Sequence, residues 1–409
     1  MMELAETCRS CGSGDLHLVL SLGETPLADR LLYPEEVGKP ELRAPLELVF
    51  CPACTLAQIT VSVAPEELFC RDYPYYSSVS PSLMRHFAGS AEAILADRGL
   101  GADSLVVEAA SNDGYMLKTF KQHGVPVLGI DPACGPARTA QAAGIETLET
   151  FFTQELAARL SAEGRQADVF LANNVLAHVP DLNGFVAGIR TLLKDDGVAV
   201  IECPYLVDLL EKLEFDTIYH QHLCYFSVLA LDALFRRHGL YLNRLERTPI
   251  HGGSLRLFVE PRENVQASVR ERLAAERAAG VDDPSYYAAF AARVMQLRST
   301  LTRLLGEIKA EGGRIAGYGA AAKATTLMSY CGIGREQLDY IVDLNPHKHG
   351  RYTGGNHLEI LPPDRLEADR PGYLLILAWN FADEIMAQQA GYKATGGRFI
   401  VPVPRPHVQ

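Results

Sequence analysis

Four cysteines near the N-terminus have the type and spacing to bind a metal ion. They form two Cys-x-x-Cys pairs, Cys8 with Cys11 and Cys51 with Cys54. Each such turn brings two sulfurs together, and four thiolates suit tetrahedral Zn²⁺. The alternatives are unrelated buried thiols or a redox motif, which is expected once and ahead of a helix in a βαβ unit. The pattern predicts a structural zinc site, because four protein ligands leave no open position on the metal.

A second group of reactive side chains lies in the segment FDTIYHQHLCYFS, which contains Tyr219, His220, Gln221 and His222 in a row. If the segment is extended, His220 and His222 share one face, and Tyr219 and Gln221 share the other. A histidine pair with no carboxylate in register is a poor zinc site. The remaining alternatives are ordinary hydrogen-bonded histidines and an active-site cluster.

A small-residue turn after a candidate strand predicts a ligand site. The strand SLVVEAA contains Glu108 and runs into SNDGYML, and the next strand ends at Asp131. In this geometry a ligand approaches the backbone and the second acid accepts hydrogen bonds from ribose hydroxyls. A dinucleotide needs a glycine-rich G-x-G-x-x-G loop, whereas this loop has Asp113 and the single Gly114. It suits the cationic, phosphate-free S-adenosylmethionine better; a simple strand-to-helix turn is the alternative.

Alternating helices and apolar strands must position these residues. From about Ser80, the segments SLVVEAA, VPVLGID, IETLE, ADVFLANNV and GVAVIEC predict a parallel sheet that is covered on both faces. Two long amphipathic helices are predicted between about Asn264 and Glu311, packed between domains. A strand, a Gly317-x-Gly319 turn and a helix then predict a second Rossmann-like unit.

Composition limits the function further. The chain has 409 residues, 48% of them hydrophobic, and a formal net charge of -12. This length suggests two or three domains, and the negative charge argues against nucleic acid as a partner. No apolar run approaches the ~20 residues that span a bilayer, so no membrane partner is expected and a cytoplasmic location is predicted. A monomer is compatible with these features.

The motifs together resemble a known family. In chain order, the cysteine pairs, YPYYSS, EAASNDGYML, GIDPA, FFTQELA, NNVLAHVPDLNGF, EFDTIYHQHLCYFS and HGGSLR are similar to segments of the zinc-bearing, S-adenosylmethionine-dependent sugar C-methyltransferases of deoxysugar biosynthesis. The resemblance covers essentially the whole chain. It implies methylation at C-3′ of a dTDP-linked keto-deoxysugar for a natural product such as an antibiotic. Two positions differ: Ala110 stands where the family commonly has Gly, and Gln221 stands where Glu is expected.

The resemblance implies catalytic roles. His222 is expected to be the base that removes the proton next to the ketone, which suits a histidine with a pKa near its ordinary ~6.5. Tyr219 is expected to hydrogen-bond or protonate the sugar oxygen, with His178 as a supporting donor. Gln221 can hydrogen-bond but cannot exchange a proton. The substitution Gln221→Glu is therefore expected to raise turnover.

The expected ligand contacts complete the site. The expected cofactor-binding residues are Glu108, Ala110, Asn112, Asp113, Asp131, Pro132, Asn173 and Asn174. The expected substrate-binding residues are Tyr76, His220, His251, Tyr318, Lys323, His347, Lys348 and Arg351. The last group includes a basic loop, DLNPHKHGRYTGG, which suits a thymidine diphosphate beside a glycine-rich turn. A solvated charged loop is the alternative.

The predicted fold class is α/β, with a class I methyltransferase Rossmann-like domain between two others. The predicted domains are a zinc-binding domain (1–75), an S-adenosylmethionine-binding methyltransferase domain (76–245) and a C-terminal Rossmann-like substrate-binding domain (246–409). Two other functions remain as alternatives. One is a nicotinamide-dependent sugar dehydrogenase that uses the Gly317/Gly319 turn. The other is a non-catalytic, zinc-containing nucleotide-binding adaptor.

Overall fold

The N-terminal unit consists of short antiparallel strands. The computed structural model describes residues 2–69 and 76–409, apart from the side chains of Phe69, Val79 and His251. The strands β2, β3 and β4 pair in sequence order, and β1 pairs with β5. The elements are β1 Met2–Leu4, β2 His17–Pro26, β3 Arg43–Phe50, β4 Ala57–Ile59, β5 Val61–Val63 and α1 Pro65–Phe69.

The central unit alternates helices and strands, as the sequence predicts. Local chemistry fixes where its first helix begins and ends: the Ser80 hydroxyl accepts a hydrogen bond from the Leu83 amide, and Gly99 ends the helix in the left-handed conformation. The elements are α2 Pro81–Arg98, β6 Val106–Ala109, α3 Leu117–Gln122, β7 Val127–Ile130, α4 Cys134–Ala142, β8 Thr147–Leu148, α5 Gln154–Ala162, β9 Ala167–Asn173, α6 Leu182–Leu192, β10 Leu193–Pro204, α7 Leu206–Glu211, β11 Cys224–Tyr225, α8 Val228–Arg237, β12 Tyr241–Thr248 and β13 Ser254–Glu260.

Seven of these strands form one sheet in the order β12-β13-β10-β9-β6-β7-β8. The five predicted strands correspond to β6 to β10 and are parallel to one another. The hairpin of β12 and β13 was not predicted, and β13 pairs antiparallel with β10. The predicted domain boundary at 245/246 falls inside β12, the edge strand of this sheet.

The C-terminal unit contains a second sheet, in the order β16-β15-β14-β17-β18-β19, with parallel pairing except at the last strand. This is the predicted second Rossmann-like unit. The elements are α9 Ala267–Ala279, α10 Pro284–Ala310, β14 Ile315–Tyr318, α11 Ala322–Cys331, β15 Ile341–Val342, β16 Ile360–Leu361, α12 Arg365–Asp369, β17 Tyr373–Ile376, α13 Ala382–Gln388, α14 Ala390–Ala394, β18 Arg398–Val401 and β19 His407–Val408.

Two elements join the units. Helix α10 packs between them: its Tyr287 ring stacks on Phe50 of β3, with the ring centroids 4.2 Å apart, and the helix also contacts α7 and α11. Strand β11 leaves the central unit and pairs antiparallel with β4, so it becomes the fourth strand of the N-terminal sheet. Among the described residues, no helix has both the length and the apolar character that crossing a membrane requires.

Candidate active site and metal centre

The four cysteines that were predicted to bind zinc lie together. Their Sγ atoms are all within 4.8 Å of one another. Cys8 and Cys54 are separated by 3.5 Å, and Cys11 and Cys51 by 3.6 Å. A tetrahedral zinc ion with Zn–S bonds of ~2.3 Å separates its sulfurs by roughly 3.8 Å. The donor set and its spacing therefore fit a structural zinc ion.

The two cysteine pairs use the same backbone turn. The Gly12 amide donates to the Cys8 carbonyl, and the Thr55 amide donates to the Cys51 carbonyl, both at 2.8 Å. Gly12 and Thr55 each have a positive φ, 75° and 60°. This left-handed residue after the second cysteine turns both sulfurs of a pair to the same side, which is why two distant segments build one cluster.

A cavity of about 750 Å³ lies where the three units meet, and this volume is typical of a small-molecule site. Its wall includes Asp29 from the N-terminal unit. The central unit contributes the loops after β6, β7, β9 and β10, and the C-terminal unit contributes the turn after β14 and the loop after β15. The carboxyl ends of parallel strands are the expected location of a ligand in such a sheet.

The turn after β6 has the shape that a ligand site requires. Ala110 and Asn112 both have a left-handed backbone, with φ of 53° and 50°. Asp131, at the end of β7, accepts hydrogen bonds from the Asn112 and Ala133 amides at 2.8 Å. Burial raises the pKa of Asp131 to about 6. Six of the predicted cofactor-binding residues line the cavity: Ala110, Asn112, Asp131, Pro132, Asn173 and Asn174.

The other two predicted cofactor-binding residues do not line the cavity. Glu108 is fully buried behind it and accepts a hydrogen bond from the Asn173 amide at 3.0 Å. Burial raises the pKa of Glu108 to about 8, so this side chain is mostly protonated near neutral pH. Asp113 accepts a hydrogen bond from the Ser78 amide at 3.3 Å. Both acids therefore bind neighbouring protein groups, Glu108 the Asn173 side chain and Asp113 the Ser78 backbone.

The predicted catalytic residues all line the cavity. Residues 219–222 form a tight turn that is closed by the His222 amide, which donates to the Tyr219 carbonyl at 2.9 Å. The turn brings the Tyr219 hydroxyl 3.0 Å from Nε2 of His222. Nδ1 of His222 is 2.9 Å from the Thr217 carbonyl oxygen. A carbonyl accepts only, so Nδ1 carries the proton and Nε2 accepts the tyrosine hydrogen bond.

Two further side chains frame this turn. The His178 ring lies 4.7 Å from the His222 ring, between centroids, and its Nδ1 donates to the Gln221 carbonyl at 2.6 Å. Burial lowers the pKa of His178 to about 4, which keeps this ring neutral. The Gln221 side chain, only 4% exposed, donates from Nε2 to the Ala28 carbonyl at 3.4 Å.

His220 does not line the cavity, although it was predicted to contact the substrate. Its ring is fully buried, with Nε2 3.1 Å from the Pro45 carbonyl oxygen of β3. The extended conformation that would have placed it beside His222 is wrong, because the segment is a turn. In a turn, Tyr219 and His222 converge and His220 points to the opposite side. Burial lowers the pKa of His220.

The predicted substrate-binding residues are divided. Tyr76, Lys323 and Lys348 line the cavity. The Tyr76 ring stacks on the ring of His347, at 5.3 Å between centroids. The Lys348 ammonium donates to the Ala320 carbonyl at 2.7 Å and lies 3.6 Å from Asp29 of the N-terminal unit.

Three more predicted substrate contacts, Tyr318, His347 and Arg351, do not line the cavity, and the side chain of a fourth, His251, is not described. Tyr318 is buried in the core of the C-terminal sheet. Arg351 donates to the Tyr33 hydroxyl and lies over that ring, 4.1 Å from its centroid, so it joins two units outside the cavity wall. The side chain of His251 is outside the described residues, as are residues 73–75 of YPYYSS.

Among the cavity-wall residues to which sequence reasoning gave no role are Asp29, Glu214 and Thr217. Asp29 has a left-handed backbone, with φ of 56°, but no sequence motif marks it. Glu214 and Thr217 lie in EFDTIYHQH, and their position just before the histidines could have indicated that they belong to the cavity wall. Thr217 acts through its backbone carbonyl, which residue type does not reveal.

Family models match successive parts of the chain. They are described as "Putative zinc binding domain" at residues 8–69, "Methyltransferase domain" at 84–245 and "C-methyltransferase C-terminal domain" at 249–404. They support the predicted fold class, an α/β protein with a class I methyltransferase domain between a zinc-binding and a second Rossmann-like unit.

Two curated relatives are similar. C-methyltransferase NovU of Streptomyces niveus is 36% identical over 406 residues, which cover 98% of this chain and 96% of the relative. Ubiquinone biosynthesis O-methyltransferase of Azorhizobium caulinodans is 26% identical over 120 residues, 29% of this chain and 46% of the relative. Among solved structures, magnesium protoporphyrin IX methyltransferase from Synechocystis matches 43% of this chain and 79% of its own, with 15% identity and a TM-score of 0.34.

Proposed function

This chain belongs to the zinc-bearing sugar C-methyltransferase family, and from that premise we propose that it methylates C-3′, the carbon next to the ketone, of a dTDP-linked 4-keto-deoxysugar. Family membership gives S-adenosylmethionine-dependent C-methylation as the activity. The sugar nucleotide, the methylated carbon and the residue roles are our proposal.

One observation carries the proposal: the Tyr219, His222 and His178 rings meet on the wall of a cavity that also includes the turn after β6. Methylation beside a ketone requires a base for a weakly acidic C–H and a donor for the enolate oxygen. The pair of His222 and Tyr219 supplies both groups within hydrogen-bonding distance.

His222 is the proposed base. Its Nδ1 proton is held by the Thr217 carbonyl, so Nε2 carries the lone pair that can accept the substrate proton. Without substrate, the Tyr219 hydroxyl occupies that lone pair. We propose that Tyr219 transfers its hydrogen bond to the sugar oxygen when substrate binds. This change in hydrogen bonding makes Nε2 of His222 available to the substrate proton. It also gives the forming enolate oxygen a hydrogen-bond donor. His178 stays neutral and supports the turn through the Gln221 carbonyl.

The cofactor fits beside this base. Asp131 is the proposed acceptor for the ribose hydroxyls, and the left-handed turn at Ala110 and Asn112 is the proposed contact for the rest of the molecule. When bound, S-adenosylmethionine supplies an electrophilic methyl group. The cysteine cluster, Cys8, Cys11, Cys51 and Cys54, would hold a zinc ion with a purely structural role.

The diphosphate of the substrate is assigned to the C-terminal unit. Gly319, Ala321 and Ala322 line the cavity where the ten-residue helix α11 begins, so its free amides are available to an anion. Lys348 adds a positive charge at the same wall.

The test is mass spectrometry after incubation of the protein with S-adenosylmethionine and a panel of dTDP-linked keto-deoxysugars. We expect one member to gain a single methyl group, with stoichiometric formation of S-adenosylhomocysteine. The absence of a methylated product with every member would overturn the proposed substrate class and favour the non-catalytic adaptor.

A further inference from the structure

Glu214 is a cavity residue with no role in the mechanism above. It immediately precedes a short 3-10 helix of one turn, Phe215–Thr217. Its backbone is fixed on both sides: its amide donates to the Leu209 carbonyl at 2.9 Å, and its carbonyl accepts from the amide and hydroxyl of Thr217 at 3.0 and 2.7 Å. Since the Thr217 carbonyl in turn holds His222, Glu214 and the base belong to one rigid segment.

One oxygen of the buried Glu214 carboxyl group has no hydrogen-bond donor among the described residues. This oxygen is Oε1, and the side chain that carries it is only 4% exposed and forms part of the cavity wall. A buried carboxylate oxygen without a donor is costly. Burial accordingly raises the pKa of Glu214 to about 7. A donor on a bound ligand would remove this cost.

A glycine makes room for this carboxyl group. At Gly252, in the HGGSLR motif, an added Cβ would lie 2.4 Å from both Oε1 and Oε2 of Glu214. Gly252 also has a positive φ of 92°. No other residue fits there without displacing the carboxyl group. The glycine of a motif that sequence analysis singled out therefore serves the placement of Glu214.

The cation with the larger effect on Glu214, Lys323, is held by other groups. The Lys323 ammonium donates to Asn380 Oδ1 at 2.6 Å and lies over the Trp379 ring, 4.5 Å from its centroid. That indole donates to Asp216 at 2.7 Å. The Lys323 charge stabilises the ionised forms of both Glu214 and Asp216 through space. Lys212 also favours the ionised form of Glu214, and its ammonium donates to the Gly252 carbonyl. Both lysines thus donate to other groups, which leaves Glu214 as an acceptor for another donor.

We propose that Glu214 accepts a hydrogen bond from a hydroxyl or ammonium group on the sugar ring and so selects sugars that carry this donor. The proposal rests on the proposed function, because it assumes that a sugar occupies this cavity. Glu214 would then determine substrate specificity, whereas His222 would act as the base. Hydroxyl and ammonium share the chemistry of a donor to a carboxylate, and the experiment below separates them.

The experiment uses the full-length protein and dTDP-linked 4-keto-deoxysugars that differ at one ring carbon at a time, with hydroxyl, amine or hydrogen there. Binding is measured by calorimetry in the presence of S-adenosylhomocysteine, and kcat/KM is measured with S-adenosylmethionine. We expect the wild-type protein to prefer one donor-bearing sugar over its hydrogen analogue by roughly 10- to 100-fold. Glu214→Ala should lose this preference and bind the hydrogen analogue as the wild type does.

A second substitution identifies the donor. Glu214→Gln keeps a carbonyl acceptor but no charge, so it should retain most of the preference for a hydroxyl and lose the preference for an ammonium group. Glu211→Gln is the matched control: Glu211 is an exposed acid at the end of α7, and its substitution should change neither quantity. S-adenosylmethionine affinity should be unchanged in every variant, which verifies folding.

The outcomes separate the two proposals. Equal losses for donor-bearing and hydrogen sugars in Glu214→Ala, or no loss, would overturn the role of Glu214. A wild-type protein that binds these sugars with a Glu214-dependent preference but does not methylate them would support Glu214 and contradict the proposed reaction. Failure of the wild-type protein to bind any of the sugars would overturn both proposals.

Discussion

At the scale of single residues, the central feature is the pairing of Tyr219 with His222. The tight turn places the hydroxyl 3.0 Å from Nε2, while the Thr217 carbonyl holds Nδ1. This arrangement fixes the tautomer of His222, the proposed base, which the mere presence of a histidine in a cavity would not do. The chemistry is therefore assigned to Nε2 of His222.

Replacing His222 with Asn should abolish methyl transfer. Asparagine can still donate to the Thr217 carbonyl, but it provides no basic lone pair for the substrate proton. We expect kcat to fall by roughly 10²- to 10⁴-fold, with unchanged affinity for S-adenosylmethionine measured by calorimetry. An Asn variant with near wild-type turnover would show that another group is the base.

Replacing Gln221 with Glu should raise turnover and lower stability. A carboxylate can take part in proton exchange beside His222, which the amide cannot. The same change removes the amide donor that faces the Ala28 carbonyl, at an expected cost of about 1 kcal/mol in the free energy of unfolding. Steady-state kinetics and chemical denaturation measure the two effects. A turnover number that is unchanged or reduced would contradict an acid–base role at this position.

Replacing Glu108 with Gln should stabilise the ligand-free protein in a pH-dependent way. The pKa of Glu108 is raised to about 8 in the folded state from an ordinary 4.5. Its contribution to stability is therefore complete below about 4.5 and is lost as pH rises through about 8. Gln does not titrate, so the stability of the variant relative to wild type should increase between these values, by at least about 1 kcal/mol.

Denaturation curves of both proteins across this pH range measure the difference. A constant offset between wild type and Glu108→Gln would contradict a buried, protonated Glu108.

The sequence predicted which residues lie at the metal centre and in the cavity, whereas it did not predict the direction in which each side chain points. The four cysteines and the cavity positions of Tyr219, His222 and His178 follow from spacing and resemblance. His220 points to Pro45 instead, because its direction depends on a turn closed by one backbone hydrogen bond. Arg351 contacts Tyr33 of another unit, and such a distant partner leaves no trace in local sequence.

At the scale of elements, strand β11 connects the candidate metal centre with the turn of Tyr219 to His222, which holds the proposed base. It begins two residues after His222 and pairs with β4, which begins three residues after Cys54. The Leu223 carbonyl also accepts from the Ile59 amide at 3.0 Å, and the Leu223 amide donates to the Ala177 carbonyl at 2.7 Å. The turn of Tyr219 to His222 is thus anchored to the sheet in which the Cys51 and Cys54 segment connects β3 to β4.

Loss of a zinc ligand should therefore reduce catalysis at a distance. We expect Cys11→Ser to lower the zinc content, measured by elemental mass spectrometry, and to lower kcat by roughly 10²-fold, since displacement of the base by about 1 Å has effects of this size. The affinity for S-adenosylmethionine, whose proposed contacts follow β6 and β7, should change little.

Cys134→Ser is the matched control, because Cys134 begins α4 and lies outside the cluster. Full activity in a zinc-free Cys11→Ser protein would contradict the anchoring role.

The sequence predicted five parallel strands within a few residues of their observed positions, because buried strands read as continuous apolar runs. It missed β12 and β13, whose polar residues alternate with apolar ones at one end of the sheet. Strand β11 was also missed, since two residues that pair with a distant sheet carry no periodicity.

At the scale of the whole molecule, the cavity depends on all three units. Asp29 of the first unit lies 3.6 Å from Lys348 of the third. Most of the remaining cavity wall comes from the second unit. The overall charge of -12 conceals a local division. Asp131 lies on the side proposed for the cationic methyl donor, and Lys323 and Lys348 lie on the side proposed for the sugar diphosphate.

The most direct test of the account locates the transferred methyl group. The full-length protein is incubated with a dTDP-linked 4-keto-deoxysugar and S-adenosylmethionine that carries an isotopically labelled methyl group, and the product is examined by NMR. The account predicts that the label is bonded to the ring carbon next to the ketone, and that His222→Asn gives no labelled product. A label on an oxygen or nitrogen atom, or no transfer to any such sugar, would contradict it.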